Sequence, residues 1–162
     1  MTDSDQHELA GGLARGVRLG VDVGRVRVGV AVSDPDGILA SPLVTLARDQ
    51  SAGEDATPSD IAELARLVGL HAGVEVVVGL PVTLAGREGP AAAEARAYAE
   101  RLAGVIAPVP VRLADERMST VVATRRLSER GVRGRRQRAV VDQAAAVEIL
   151  QSWLNARRRL TR

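Results

Sequence analysis

From Val17 to Ser33 the chain alternates between apolar residues and small or polar ones (VRLGVDVGRVRVGVAVS). A period of two is that of a half-buried strand. The stretch predicts two strands, 17–23 and 26–33, joined through Gly24. Asp34-Pro35-Asp36-Gly37 is a turn sequence. A third strand follows over 38–46, and Pro42 assigns it to a sheet edge or a bulge. Three strands in such quick succession predict an antiparallel meander.

The period then changes. After a loop over 49–55, Thr57-Pro58-Ser59-Asp60 opens a helix, with Thr57 as its expected cap. Ile61, Leu64, Ala65 and Val68 form its buried stripe. Glu75–Leu80 is a short apolar strand of the kind covered on both faces. Pro90 opens an alanine-rich helix to about Ala103, and Val109–Leu113 is another strand. Helices are expected over 119–130 and 139–156, separated by a basic, glycine-containing, mobile loop over 131–138. The order β-β-β-α-β-α-β-α-α predicts an α/β fold. Its mixed five-stranded sheet has three antiparallel strands, then two parallel crossovers, with helices on both faces.

At 162 residues the chain is sized for one domain. Residues 1–16 are expected to be a flexible lead-in, 17–156 the domain and 157–162 a basic tail. Cysteine is absent, which excludes disulfides, a thiolate nucleophile and cysteine-ligated zinc. No apolar run reaches the roughly 18 residues of a membrane span. The acidic, polar start (MTDSDQHELAGG) does not resemble a secretion signal, so a cytoplasmic protein without membrane contact is expected.

Charge is divided unevenly. All 22 basic residues are arginine. Residues 1–111 hold 9 Arg and 15 acids, residues 112–162 hold 13 Arg and 5 acids. A dipole of this kind suits a polyanion, although a solvated arginine-rich end accounts for it too. Tyr98 and Trp153 are the only aromatic residues, so base stacking is disfavoured and contact with a phosphate backbone is the better match. Arg133, Arg135, Arg136 and Arg138 outnumber the nearby acids, Glu129 and Asp142. They form either a solvated loop or an arm for nucleic acid.

Three carboxylates stand out. Asp22 lies late in the first strand, on the side opposite Val21 and Val23. It is either a turn cap or a ligand. Glu116 follows the fifth strand, where ligand-facing groups of α/β folds gather. Its neighbour Asp115 must point elsewhere, Ser119 is placed to cap the next helix, and Arg117 is left to approach a phosphate. Asp142 shares the inward stripe of the last helix with Ala145, Ala146, Ile149, Leu150 and Trp153. A buried cap is the competing account of it. Joined, the three acids suit hard cations such as Mg²⁺ or Mn²⁺. Without a cation between them they would raise one another's pKa values. Two such ions about 4 Å apart activate water for phosphodiester cleavage.

These motifs resemble the YqgF family, the RuvX-like pre-16S rRNA nucleases. The resemblance rests on Gly20-Val21-Asp22-Val23-Gly24 through Ala31 with Ser33-Asp34, and on Gly79-Leu80-Pro81 with Gly86 and Glu88-Gly89. It also rests on Asp115-Glu116-Arg117-Met118-Ser119-Thr120 and on Asp142-Gln143-Ala144-Ala145-Ala146 with Ile149-Leu150. It implies an RNase H-like fold and metal binding by Asp22, Glu116 and Asp142. Arg27 matches a commonly basic position and is expected, with Arg117 and the 133–138 arginines, at the nucleic acid. The family's aspartate after Gly79-Leu80-Pro81 is replaced by Ala85, and Arg25 stands where a small residue is common. The resemblance implies a metal-dependent hydrolase trimming the 5′ end of precursor 16S rRNA, as a monomer or homodimer. A Holliday junction resolvase acting on branched DNA and a non-catalytic ribosome assembly factor are the alternatives. A nucleotide-dependent phosphotransferase is disfavoured, because those enzymes pair two such domains.

Overall fold

The computed structural model describes residues 13–83, 85–116 and 135–160. The meander forms as expected: β1 (Arg18–Val23), β2 (Arg27–Ser33) and β3 (Ala40–Ala47). Then come α1 (Ser59–Leu70), β4 (Glu75–Leu80), α2 (Pro90–Ile106), β5 (Val111–Asp115) and α3 (Arg135–Leu160). The sheet order is β3-β2-β1-β4-β5. The β1–β2 and β2–β3 pairs are antiparallel, β1–β4 and β4–β5 parallel. Pro42 sits on the edge strand beside a bulge at Val30/Ala31, satisfying both readings of it. The expected helix over 119–130 lies outside the described residues.

The two faces of the sheet are built differently. Leu19, Val21, Val28, Val30, Val76 and Val78 point to one face. They pack there with Ile61, Leu64 and Val68 of α1 and Tyr98, Leu102 and Ile106 of α2. The alternate residues Gly20, Asp22, Gly29, Ala31, Val77 and Gly79 face α3. That helix lays Ala145, Ala146, Ile149, Leu150 and Leu154 on them. The glycines set its distance: a Cβ on Gly20 would lie 2.7 Å from Leu150 Cβ, and one on Gly29 2.1 Å from the Asp142 carbonyl oxygen. The open side of Gly20 and Gly29 thus receives a helix and not the hairpin itself. Gly24 alone faces the hairpin turn, where its N–H donates to Arg27 O at 2.9 Å.

Helix ends also differ from expectation. Pro58, not Thr57, occupies the N-cap of α1 and offers no side-chain bond. Asp49 supplies it from the preceding loop, accepting the Ser59 N–H at 2.9 Å. The Ser51 hydroxyl and these backbone N–H groups hold the Asp49 carboxyl well below its usual range. In the same turn, buried Asp60 accepts the Tyr98 hydroxyl at 2.8 Å, tying α1 to α2. Burial, then the Asp60 charge, pushes the Tyr98 hydroxyl pKa up.

The basic segment 131–138 requires a correction. It was expected to be a loop, but the backbone is helical from Arg135, so Arg135, Arg136 and Arg138 belong to the first turn of α3. Arginine is a good helix former, and the last glycine of the segment is Gly134. At the other end α3 continues four residues into the expected tail, to Leu160. Arg157 stacks over Trp153 one turn earlier, 5.0 Å from the ring centroid, and three arginines in the last turn suit the helix dipole.

Candidate nuclease site

β1, β4 and β5 run parallel, so their C-terminal ends share one end of the sheet. β1 ends in Asp22-Val23 and β5 in Asp115. Asp22 is 2% exposed and pairs in register with Gly29 of β2. Residues directly opposite on antiparallel strands point to the same face. Gly29 therefore marks the place beside Asp22, and over that place lies the Asp142 backbone. The sequence stripe that turned Asp142 inward is realised, and the residue is buried.

Glu116 enters from the other flank. A Cβ on Gly79 would approach Glu116 Oε1 to 2.6 Å and Ile149 Cδ1 to 2.6 Å. Gly79 is the residue after Val78, which pairs with Val21, so it lies on β4 beside Asp22. Asp22 thus has a glycine on each neighbouring strand, one beneath Asp142 and the other beneath Glu116. Strands are about 4.8 Å apart. The adjacent acids at the end of β5 divide as an extended chain requires: Glu116 is buried and Asp115 exposed.

Arg27 opens β2 on this same face. Its Nε donates to Asp142 Oδ2 at 2.7 Å, with the Arg27 side chain 30% and the Asp142 side chain 12% exposed. Sequence reasoning placed Arg27 at the nucleic acid and did not see this pair. It also missed Gly29 and Gly79 as spacers. The available signal was the run of small residues at alternate positions facing one way: Gly20/Asp22, Gly29/Ala31 and Val77/Gly79. Beside Asp142, Gln143 Nε2 donates to Thr45 Oγ1 at 3.0 Å and fixes the helix over β3.

The donor set is that of a hard cation: three carboxylates and no soft atom. The glycine cradles leave room where the carboxylates approach, and the guanidinium on Asp142 shows that this position takes positive charge. Among the described residues no three acidic or imidazole side chains are grouped closely enough to hold a metal ion as they stand. The residues suit a divalent ion in donor chemistry, and Asp142 is engaged by Arg27. Glu116 also lines a groove of about 290 Å³ between β5 and α3, with Leu113, Ile149, Trp153 and Arg159 along it. Arg117 and Arg133 lie outside the described residues. Among the described residues no helix is long and apolar enough to cross a membrane.

A model of the RuvX family, described as Holliday junction resolvase, matches residues 16–156. A relative from Mycobacterium ulcerans named "Putative pre-16S rRNA nuclease" is 56% identical over 156 residues, covering 96% of this chain and 88% of its own. A relative of the same name from Rhodococcus erythropolis is 54% identical over 145 residues, covering 90% and 81%. Among solved structures, Thermus thermophilus RuvC in complex with a Holliday junction substrate superimposes with a TM-score of 0.50. The match is 16% identical and covers 91% of this chain and 98% of that one. At that identity the likeness is one of fold, and it agrees with the RNase H-like arrangement of the sheet.

Proposed function

The chain belongs to the RuvX family, and from that premise we propose that it is a divalent-metal-dependent nuclease processing the 5′ end of precursor 16S rRNA in the cytoplasm. The observation that carries the reading is the placement of Asp22, Glu116 and Asp142 around two glycine cradles at one end of the sheet. Buried carboxylates gathered on one face repel, and a cation among them relieves that repulsion.

In this reading Asp22, Glu116 and Asp142 hold Mg²⁺ or Mn²⁺. The metal, when bound, supplies an activated water and charge stabilisation at the leaving oxygen. The chain's own contribution is placement. The sheet fixes Asp22, β5 delivers Glu116, and α3 delivers Asp142. Arg117, Arg133, Arg135, Arg136 and Arg138 are assigned to the phosphate backbone, through charge-assisted bonds that position the polymer without reading its sequence.

Asp22→Asn removes one anionic ligand and keeps the shape. Cleavage of a precursor 16S rRNA fragment should fall at least about a hundredfold, since losing even an outer partner of a metal site costs 10- to 100-fold. Equal turnover by the folded variant would remove the assignment. The family's description favours a second polymer, so a four-way DNA junction belongs in the same assay. Preferential, Asp22-dependent cleavage of the junction would make branched DNA the substrate. Binding of RNA without cleavage in Mn²⁺ would leave an assembly factor.

A further inference from the structure

We propose that Arg27 is a built-in counter-cation for Asp142, exchanged for the divalent ion when the site loads. The inference rests on the nuclease reading of the three carboxylates. Its basis is the 2.7 Å ion pair between Arg27 Nε and Asp142 Oδ2, on the same sheet face as Asp22.

A carboxylate at the Asp142 position is largely out of water. Beside two further acids it needs positive charge whether or not a metal is bound. Arginine meets that need at every working pH, because its guanidinium does not deprotonate. Arg27 holds Oδ2 alone, and a cation approaching either oxygen of the same carboxylate meets the guanidinium's charge. Metal and guanidinium therefore oppose one another at Asp142.

The geometry suits exchange better than permanent pairing. Arg27 is at the start of β2, next to the exposed Arg25-Val26 turn, and its side chain is 30% exposed. Compare Arg18, which is 3% exposed. Its guanidinium bonds to Glu75 Oε1 at 2.9 Å and to the Gly16 and Ala14 carbonyls. That arginine is fixed on all sides, whereas Arg27 has solvent beside it. Released from Asp142, Arg27 is a free fork at the rim, suited to two parallel bonds with a backbone phosphate. One side chain would thus guard the unloaded site and then meet the polymer when the metal is in place.

The test is Mn²⁺ titration of the full chain without nucleic acid, followed by calorimetry and by water-proton relaxation. Arg27→Ala and Arg27→Gln should each bind Mn²⁺ about tenfold more tightly than wild type, as expected for a pair between surface and buried extremes. Asp142→Asn should bind more weakly, and adding Arg27→Ala to it should restore nothing. Thermal melts confirm folding, and Arg27→Gln keeps length and hydrogen-bonding capacity should the alanine variant unfold. Affinity equal to or weaker than wild type in the folded Arg27 variants overturns the proposal, as does an absence of Mn²⁺ binding in all of them. Unfolding of both variants overturns it too, because Arg27 is then a structural tie. The nuclease reading stands or falls separately, on whether Asp22→Asn abolishes cleavage.

Discussion

The two faces of the sheet solve opposite problems. The face toward α1 and α2 is filled with Leu19, Val21, Val28, Val30, Val76 and Val78, and stability comes from volume removed from water. The face toward α3 carries Gly20, Gly29, Ala31 and Gly79, so the helix comes close enough for its backbone to touch the sheet. The three buried acids assigned to the site are all on the second face or its rim. Bulk secures the fold, and the lack of bulk makes room for chemistry.

Gly29→Ala and Leu102→Ala break this comparison most sharply. A methyl on Gly29 meets the Asp142 carbonyl at 2.1 Å, which forces α3 outward. The expected loss is about 3 kcal/mol, the upper part of the overpacking range. Leu102 is fully buried on the other face, and its truncation should cost about 2–5 kcal/mol. Denaturant titrations should thus rank the two variants close together. Cleavage by the folded fraction should separate them, with Gly29→Ala inactive and Leu102→Ala near wild type. If Leu102→Ala loses as much turnover, the division between the faces is wrong.

Gly104→Ala is the control for glycine itself. Nothing lies within 4 Å of a Cβ there, and the residue is in the last turn of α2. Alanine should stabilise by about 0.5–1 kcal/mol. A melting temperature raised by about 2 °C would show it.

The smallest effect contrasts acids at the two ends of the sheet. Asp34, in the β2–β3 turn far from the site, is held below its ordinary value of 3.8 by the backbone N–H groups of Leu39, Ile38 and Asp36. A depressed folded-state pKa gives support that is complete above 3.8 and disappears as the pH falls through the folded value. Amide protection factors in this turn, which remove the intrinsic pH dependence of exchange, should be unchanged from neutral pH down to the ordinary value. Below it they should fall relative to an Asp34→Asn variant. Loosening already at neutral pH would contradict the assignment.

Periodicity made most of the sheet legible. The strand Glu75–Leu80 forms within its expected bounds because every residue in it is buried. The fifth strand shifts from 109–113 to Val111–Asp115, since Val76 N–H takes the Pro110 carbonyl and pairing begins with Val111. As a half-exposed edge it leaves a weak apolar signal. α2 runs past Gly104 to Ile106 because Ile106 is buried against the core, which outweighs one glycine. For the site, the inward direction of Asp142 was readable from its helical stripe. The Arg27 pair spans 115 residues of sequence and depends on how closely α3 lies on the sheet, which no local pattern carries.

Arg18 gives this architecture a fulcrum. Its guanidinium lies 5.9 Å from the Trp153 ring centroid while holding Glu75 and the chain ahead of β1. Trp153 is eleven residues along α3 from Asp142, a lever arm of about 16 Å. A tilt of about 5° at that anchor carries Asp142 by about 1.5 Å, as much as one residue of helical rise. Even a small tilt at a contact remote from the acids would therefore change the aperture between them.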